Sequence, residues 1–198
     1  MDVLMIRHGQ SEADILNVIE GRADFALTDE GRQQARLMAA WVKARFAVTH
    51  IYASPLQRAA QTAQCLSDSF GMPISFNEDL MEWQNGLLAG MNREEVARKY
   101  PKPSAMHPHT AVYGCESMIQ FRARAEHALS RMVNENDDSA VIAVVSHGGM
   151  INMLFRSFMG LPVKDDIWIA SGDTAVHHLR IQDGRRSVIF ANAQYHLQ

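Results

Sequence analysis

Cysteine is scarce: Cys65 and Cys115 are the only two in 198 residues. Two thiols at that spacing make neither a disulfide framework nor a metal knuckle, so both are expected free, in a reducing compartment. Long apolar runs are missing as well, since no stretch approaches the roughly 20 residues a membrane helix needs. Charge of one sign is not in excess: 22 acidic against 19 basic residues leave a net −3. That balance gives no reason to expect nucleic acid or an anionic membrane as partner, and any anion site must be local. No internal repeat or low-complexity tract appears. Met1-Asp2 leads straight into the first apolar run, so no signal peptide is expected and the expected location is cytoplasmic. With 47% hydrophobic and 21% charged residues, residues 1–198 read as a single soluble domain large enough to bury a substantial core.

What is present is a repeated arrangement. Val3-Leu4-Met5-Ile6 runs into Arg7-His8-Gly9, and Val141-Ile142-Ala143-Val144-Val145 runs into Ser146-His147-Gly148-Gly149. Each reads as a buried strand delivering a histidine at its carboxyl end, with glycine next so that the backbone can turn tightly. Ligands bind at that edge of open parallel sheets. Two histidines far apart in sequence are therefore expected to face one crevice.

Between them strand and helix signals alternate. After the first strand comes a polar loop; Thr28-Asp29-Glu30 then starts a helix, with Thr28 as N-cap and acids in the first turn. His50-Ile51-Tyr52-Ala53 is a short strand. Ser54-Pro55 is predicted to open the next helix as N-cap and first helical residue, and Gly71 to end it. Another short strand falls within 72–80, and Asn92-Arg93-Glu94-Glu95 resembles a capping box. Helices are expected from about Glu116 to Val133 and from Gly149 to Met159. Strands 174–182 and 185–191 meet at Asp183-Gly184, a hairpin signal. The fold class is α/β, a three-layer sandwich with a mostly parallel central sheet and helices on both faces. The irregular stretch at about 83–117 reads as a lid insertion over the crevice.

Several residues carry chemistry. A neutral imidazole such as His8 is a nucleophile, and the adjacent Arg7 offers a fork of donors to a carboxylate or phosphate. Arg58 lies in the first turn of a helix that follows a strand, at the same sheet edge, where the helix N-terminus adds donors. Glu82 sits among apolar neighbours, and burial there would raise its pKa as a general acid requires. His147 suits either a phosphate donor or a base, and the Gly148 and Gly149 amides are free to join a nest for an oxyanion.

These residues, with Leu27-Thr28-Asp29-Glu30-Gly31, Ser54-Pro55-Leu56-Gln57-Arg58-Ala59 and Gly114-Cys115-Glu116-Ser117, together resemble the histidine phosphatase superfamily in its phosphoglycerate mutase-like branch. The resemblance spans most of the chain and its pieces occur in order. It implies that His8 attacks phosphorus, that Arg7, Arg58 and His147 hold the phosphoryl oxygens, and that Glu82 protonates the leaving oxygen and then activates water. It implies no metal and no cofactor, because the cationic residues supply the positive charge. The implied activity is a phosphomonoesterase of small organic phosphates, with a phosphoglycerate mutase or a non-catalytic phospho-ligand-binding module as alternatives. The partner is a small-molecule phosphate ester, and a homodimer stands as an open possibility for assembly.

The family usually has asparagine where this chain has Asp14, and an ionised carboxylate there would repel phosphate. Either Asp14 turns away or stays protonated, or Asn17 takes over the contact. Gly21 matches the family's glycine on the pocket wall. Glu12, Asp14 and Glu20 near the mouth are expected to disfavour multiply charged substrates. His107 and His109 are read as a surface pair, and His177 and His178 as strand neighbours pointing to opposite faces.

Overall fold

The computed structural model describes residues 1–163 and 166–198. Its centre is strand β1 (Asp2–Arg7), whose Val3, Leu4, Met5 and Ile6 are all completely buried. An apolar run without alternation is what a strand covered on both faces needs. With β2 (His50–Ala53), β3 (Ile74–Phe76), β4 (Val141–Ser146), β5 (Val176–Gln182) and β6 (Arg185–Ala193), it forms a six-stranded sheet in the order β3-β2-β4-β1-β5-β6. The first four strands pair in parallel, whereas β5 runs antiparallel to β1 and β6 antiparallel to β5. The β5–β6 hairpin turns at Asp183 and Gly184, both at positive φ, as such a tight turn requires.

Helices cover both faces. Helix α2 (Asp29–Lys43) and α3 (Gln57–Phe70) place Met38, Val42, Ala59, Ala63 and Leu66 against Leu4 and Ile6. On the opposite face α5 (Met118–Asn134) and α6 (Gly148–Met159) pack Phe121, Ala125, Leu154 and Phe155 against Val3 and Met5. The three-layer expectation holds because β1 alternates its side chains between two apolar cores.

Register places the crevice. Arg7 pairs with Ser146 across β1 and β4, so His8 and His147 leave adjacent strands at the same level. The chain leaves β1 towards β2 and leaves β4 towards β5, on opposite sides, which makes this gap the topological switch point where ligands bind.

Three local expectations are corrected. The polar loop after β1 contains a short helix, α1 (Glu12–Leu16), capped by Ser11 and Asp14. Helix α3 begins at Gln57, not at Pro55; its first amide is capped from a distant loop by Asp24 Oδ1 at 2.7 Å. Ser54 is thereby freed from capping. Strand β5 starts at Val176, because Thr174 adopts a left-handed backbone conformation incompatible with a strand.

Residues 83–117 hold a single helical turn at Gly86–Leu88 and the short helix α4 (Arg93–Lys99). Asn92 caps α4 through Glu94 N and Glu95 N. The Glu95 side chain pairs with Lys99 at 2.6 Å. This stretch is stitched to the loop after α1 by Ile19 N–Met91 O at 2.9 Å and Gly90 N–Ile19 O at 2.7 Å.

Candidate active site

The loop carrying His8 is fixed by close backbone contact with the start of α2. A Cβ on Gly31 would collide with the Gln10 carbonyl, and one on Gly9 with Gly31 itself. Thr28 Oγ1 accepts from Gly31 N and donates to Gln10 Oε1, while Gln34 Oε1 accepts from Gln10 N at 2.9 Å. From the other side Thr62 Oγ1 accepts from Gly9 N at 3.1 Å. The Leu27-to-Gly31 segment is thus a bracket for the histidine loop.

His8 is buried, and its Nδ1 lies 2.7 Å from the Gly9 carbonyl. A carbonyl can only accept, so Nδ1 carries the hydrogen and Nε2 presents its lone pair. Burial first, then Arg58 and Arg7, hold the imidazole pKa well below its usual 6.5, against the smaller upward pull of the Gly9 bond. His8 is therefore a neutral imidazole whose Nε2 carries the nucleophilic lone pair.

Arg58 is fully buried and points its Nε at His8 Nε2, 3.3 Å away. Its two terminal nitrogens donate to Ala23 O at 3.0 Å and Gly21 O at 2.8 Å. Gly21 has φ of +50°, and a Cβ there would strike the Asn85 side chain. Burial lowers the Arg58 pKa, opposed by Glu20, Glu82, Asp24 and Asp14. Arg7 donates to the Ser171 carbonyl at 2.7 Å and pairs with Asp173 at 3.4 Å.

The His147 ring stands 5.1 Å from that of His8, centroid to centroid. Burial first, then Arg58, depress its pKa well below 6.5. Its Nε2 meets Ser54 Oγ at 2.8 Å, and Ser54 Oγ also accepts from Leu56 N at 3.3 Å. With the Ser54 hydroxyl donating to Nε2, a neutral His147 carries its hydrogen on Nδ1; with Nε2–H donating to Ser54, Nδ1 is an acceptor. His147 Nδ1 and Arg7 Nε are both buried without a partner among the described residues. Both have hydrogen-bonding capacity left for a ligand.

Glu82 is drawn in by its backbone. Arg124 donates to the carbonyls of Asp79, Met81 and Glu82 and to the Glu116 carboxylate, and Ser146 Oγ donates to Leu80 O at 2.7 Å. The Glu82 carboxyl accepts from Trp83 N at 2.7 Å and Gly149 N at 2.8 Å. Burial nevertheless raises its pKa above the usual 4.5; the two backbone bonds, Arg58 and Arg124 only moderate the rise. A Cβ on Gly149 would run into the Glu82 carboxyl, which would have to shift. Its amide serves Glu82 and is not part of an oxyanion nest, contrary to expectation. The Gly148 amide, at the first position of α6, has no acceptor inside its helix.

The acidic residues sort differently than expected. Asp14 is exposed and its carboxylate accepts from Ser11 N at 2.8 Å, capping α1. Asn17 ends α1 in the left-handed region and is exposed. Glu20, expected at the mouth, instead lies 3.4 Å from Arg58 Nε and 3.8 Å from His8 Nε2. Ser54, Arg124 and Asp173 were not marked as parts of the site by the sequence, which put Glu20 only at its mouth. Only the Ser54-Pro55-Leu56 motif carried a signal for one of them.

The described residues contain no group of three His, Cys, Asp or Glu side chains placed to hold a metal, and no helix long and apolar enough to cross a membrane. His177 packs on Phe155 of α6 and His178 on Phe46 and Phe190, on opposite faces as predicted.

The family model of the histidine phosphatase superfamily, branch 1, matches residues 3–194. The chain is 32% identical to a glucosyl-3-phosphoglycerate phosphatase of Mycolicibacterium vanbaalenii over 179 residues, covering 86% of this chain and 78% of the relative. It is 27% identical to phosphoserine phosphatase 1 of Hydrogenobacter thermophilus, covering 94% and 89%. A probable phosphoglycerate mutase of Photorhabdus laumondii is 33% identical over 82% and 76%. Among solved structures, YhfR of Bacillus stearothermophilus superposes with a TM-score of 0.86 at 23% identity, covering 100% and 99% of the two chains.

Proposed function

Because the chain belongs to branch 1 of the histidine phosphatase superfamily, we propose that it hydrolyses small phosphate monoesters through a phosphohistidine on His8. The observation that carries this reading is the His8 ring, locked by Gly9 so that Nε2 faces Arg58 in a crevice shared with His147. In this reading the ester's phosphoryl oxygens bind Arg7, Arg58, His147 Nδ1 and the Gly148 amide, with Asn17 reaching in from the end of α1. His8 Nε2 forms the N–P bond as the ester P–O bond breaks, and Glu82 as the carboxylic acid gives its proton to the leaving oxygen. Water then attacks phosphorus, Glu82 takes its proton, and the N–P bond breaks to release phosphate. Positioning and charge neutralisation suffice for such a transfer; the chemistry proceeds without a metal.

The phosphatase reading is favoured over the mutase alternative by the stretch 83–117. In this reading it is the lid of a single domain, and it offers few free cations for a second anionic group, Lys99 being paired with Glu95. The protein acts in the cytoplasm on a small-molecule ester, in keeping with its two free thiols and slightly negative charge; nucleic acid is not its partner, and its assembly as monomer or homodimer is decided by sedimentation. The decisive experiment is His8→Ala against a panel of phosphate esters. Activity should fall at least about a hundredfold. Retention of more than a tenth would overturn the assignment.

A further inference from the structure

Glu20 has no part in the cycle just described, yet its carboxylate stands where the phosphoryl group is to bind. One oxygen is 3.4 Å from Arg58 Nε and is bonded by the Ser11 hydroxyl; the other is 3.8 Å from His8 Nε2. The same Arg58 Nε–H meets the His8 lone pair. Both the guanidinium and the approach to the nucleophile are therefore covered by an anion whose acceptor oxygens ask for the same donors as a phosphoryl group. Its hold is loose. The single hydrogen of Ser11 Oγ is shared between Glu20 and Asp14 Oδ2, the latter at 3.1 Å, and can serve one carboxylate at a time. When Glu20 leaves, Ser11 keeps Asp14 as acceptor and no buried hydroxyl is orphaned.

We propose that Glu20 is an internal occupant of the phosphoryl site, displaced by an incoming ester and returning as inorganic phosphate departs. The inference rests on the phosphoryl site assigned above. It makes Glu20 a determinant of specificity: the site binds only esters whose remaining contacts outweigh the competition, and it holds bare phosphate weakly. The groups around Glu20 are the Arg58 guanidinium on α3, the neutral His8 ring at the end of β1, and the carboxylates of Asp14 on α1 and Asp173 before β5.

The test is titration of the whole protein with inorganic phosphate and with orthovanadate, by calorimetry and by inhibition. Glu20→Gln keeps an acceptor for Ser11 and removes the charge, so phosphate should bind about tenfold or more tightly near neutral pH, the expected scale for removing one partly screened charge. Glu20→Ala should move the constant in the same direction. Phosphate binding within twofold of wild type in both variants, or weaker, would overturn the proposal. Arg58→Ala run alongside separates the two claims: it should lose phosphate. Unchanged phosphate binding in that variant would overturn the site assignment itself.

Discussion

Glu82 is where one side chain's surroundings decide the chemistry. Burial raises its pKa while burial lowers that of His8, so the acid and the nucleophile are pushed in opposite directions from 4.5 and 6.5. A neutral nucleophile with a depressed pKa puts the acid limb of kcat/KM well below pH 6.5, and a protonated acid with a raised pKa carries the alkaline limb above 4.5. Glu82→Gln should cost about a hundredfold to ten-thousandfold with alkyl phosphates, whose leaving oxygen needs the proton. The loss should be much smaller with a nitrophenyl ester; equal losses on both would show that Glu82 is not the proton donor. Asp14, turned onto Ser11, gives the contrasting expectation. Asp14→Asn should move phosphate inhibition by less than about threefold, while Asn17→Ala weakens it. A hundredfold gain from Asp14→Asn would place that carboxylate back in the pocket.

At the scale of elements, catalysis depends on how the histidine loop is braced. Gly31 on α2 touches the Gln10 backbone so closely that Gly31→Ala must push the loop away. Overpacking of this kind costs about 1–3 kcal/mol; denaturant unfolding should show it, and kcat should fall because His8 moves with the loop. If stability drops and kcat does not, the bracket is structural only. The elements themselves were largely legible in the sequence. Apolar runs gave β1 and β4, and Thr28 and Gly71 gave the start of α2 and the end of α3. His8, His147 and Arg58 come together, and Glu82 binds the Gly149 amide two residues past His147, because parallel strands deliver their loops to one edge of the sheet. What was illegible is long-range. Asp24 caps α3 from another loop, which no local signal announces, and so Ser54 was given the cap while its hydroxyl belongs to His147. Glu20 follows a five-residue helix that periodicity does not reveal, and its position depends on that helix's exit.

Across the whole molecule, the buried histidines link stability to pH. His8, His147, His177 and His196 all have lowered pKa values through burial, His177 to about 4. Below 6.5 the unfolded chain binds protons that the folded one refuses, so the fold is fully favoured above that pH and loses stability as pH falls towards the folded values. Each such histidine contributes a slope of about 1.4 kcal/mol per pH unit at most. The raised carboxyls of Glu82 and Asp173 act oppositely, above their unfolded values. Four against two predicts a Tm that drops between pH 7 and 5, and His177→Asn should flatten that drop; a Tm constant over this range would contradict the burial assigned to these rings. Exhaustive chelation should leave turnover unchanged, because the positive charge at the site comes from Arg7 and Arg58. A rate restored only by an added divalent ion would contradict that.

The central claim is the covalent intermediate on His8. Rapid acid-free quenching of the enzyme during turnover of a labelled phosphate ester, followed by peptide mapping, should find an acid-labile, base-stable phosphoryl group on His8, absent from His8→Ala and accumulating in Glu82→Gln when the ester has a good leaving group. Label found on another residue, or turnover at full rate with no label on His8, would contradict the account.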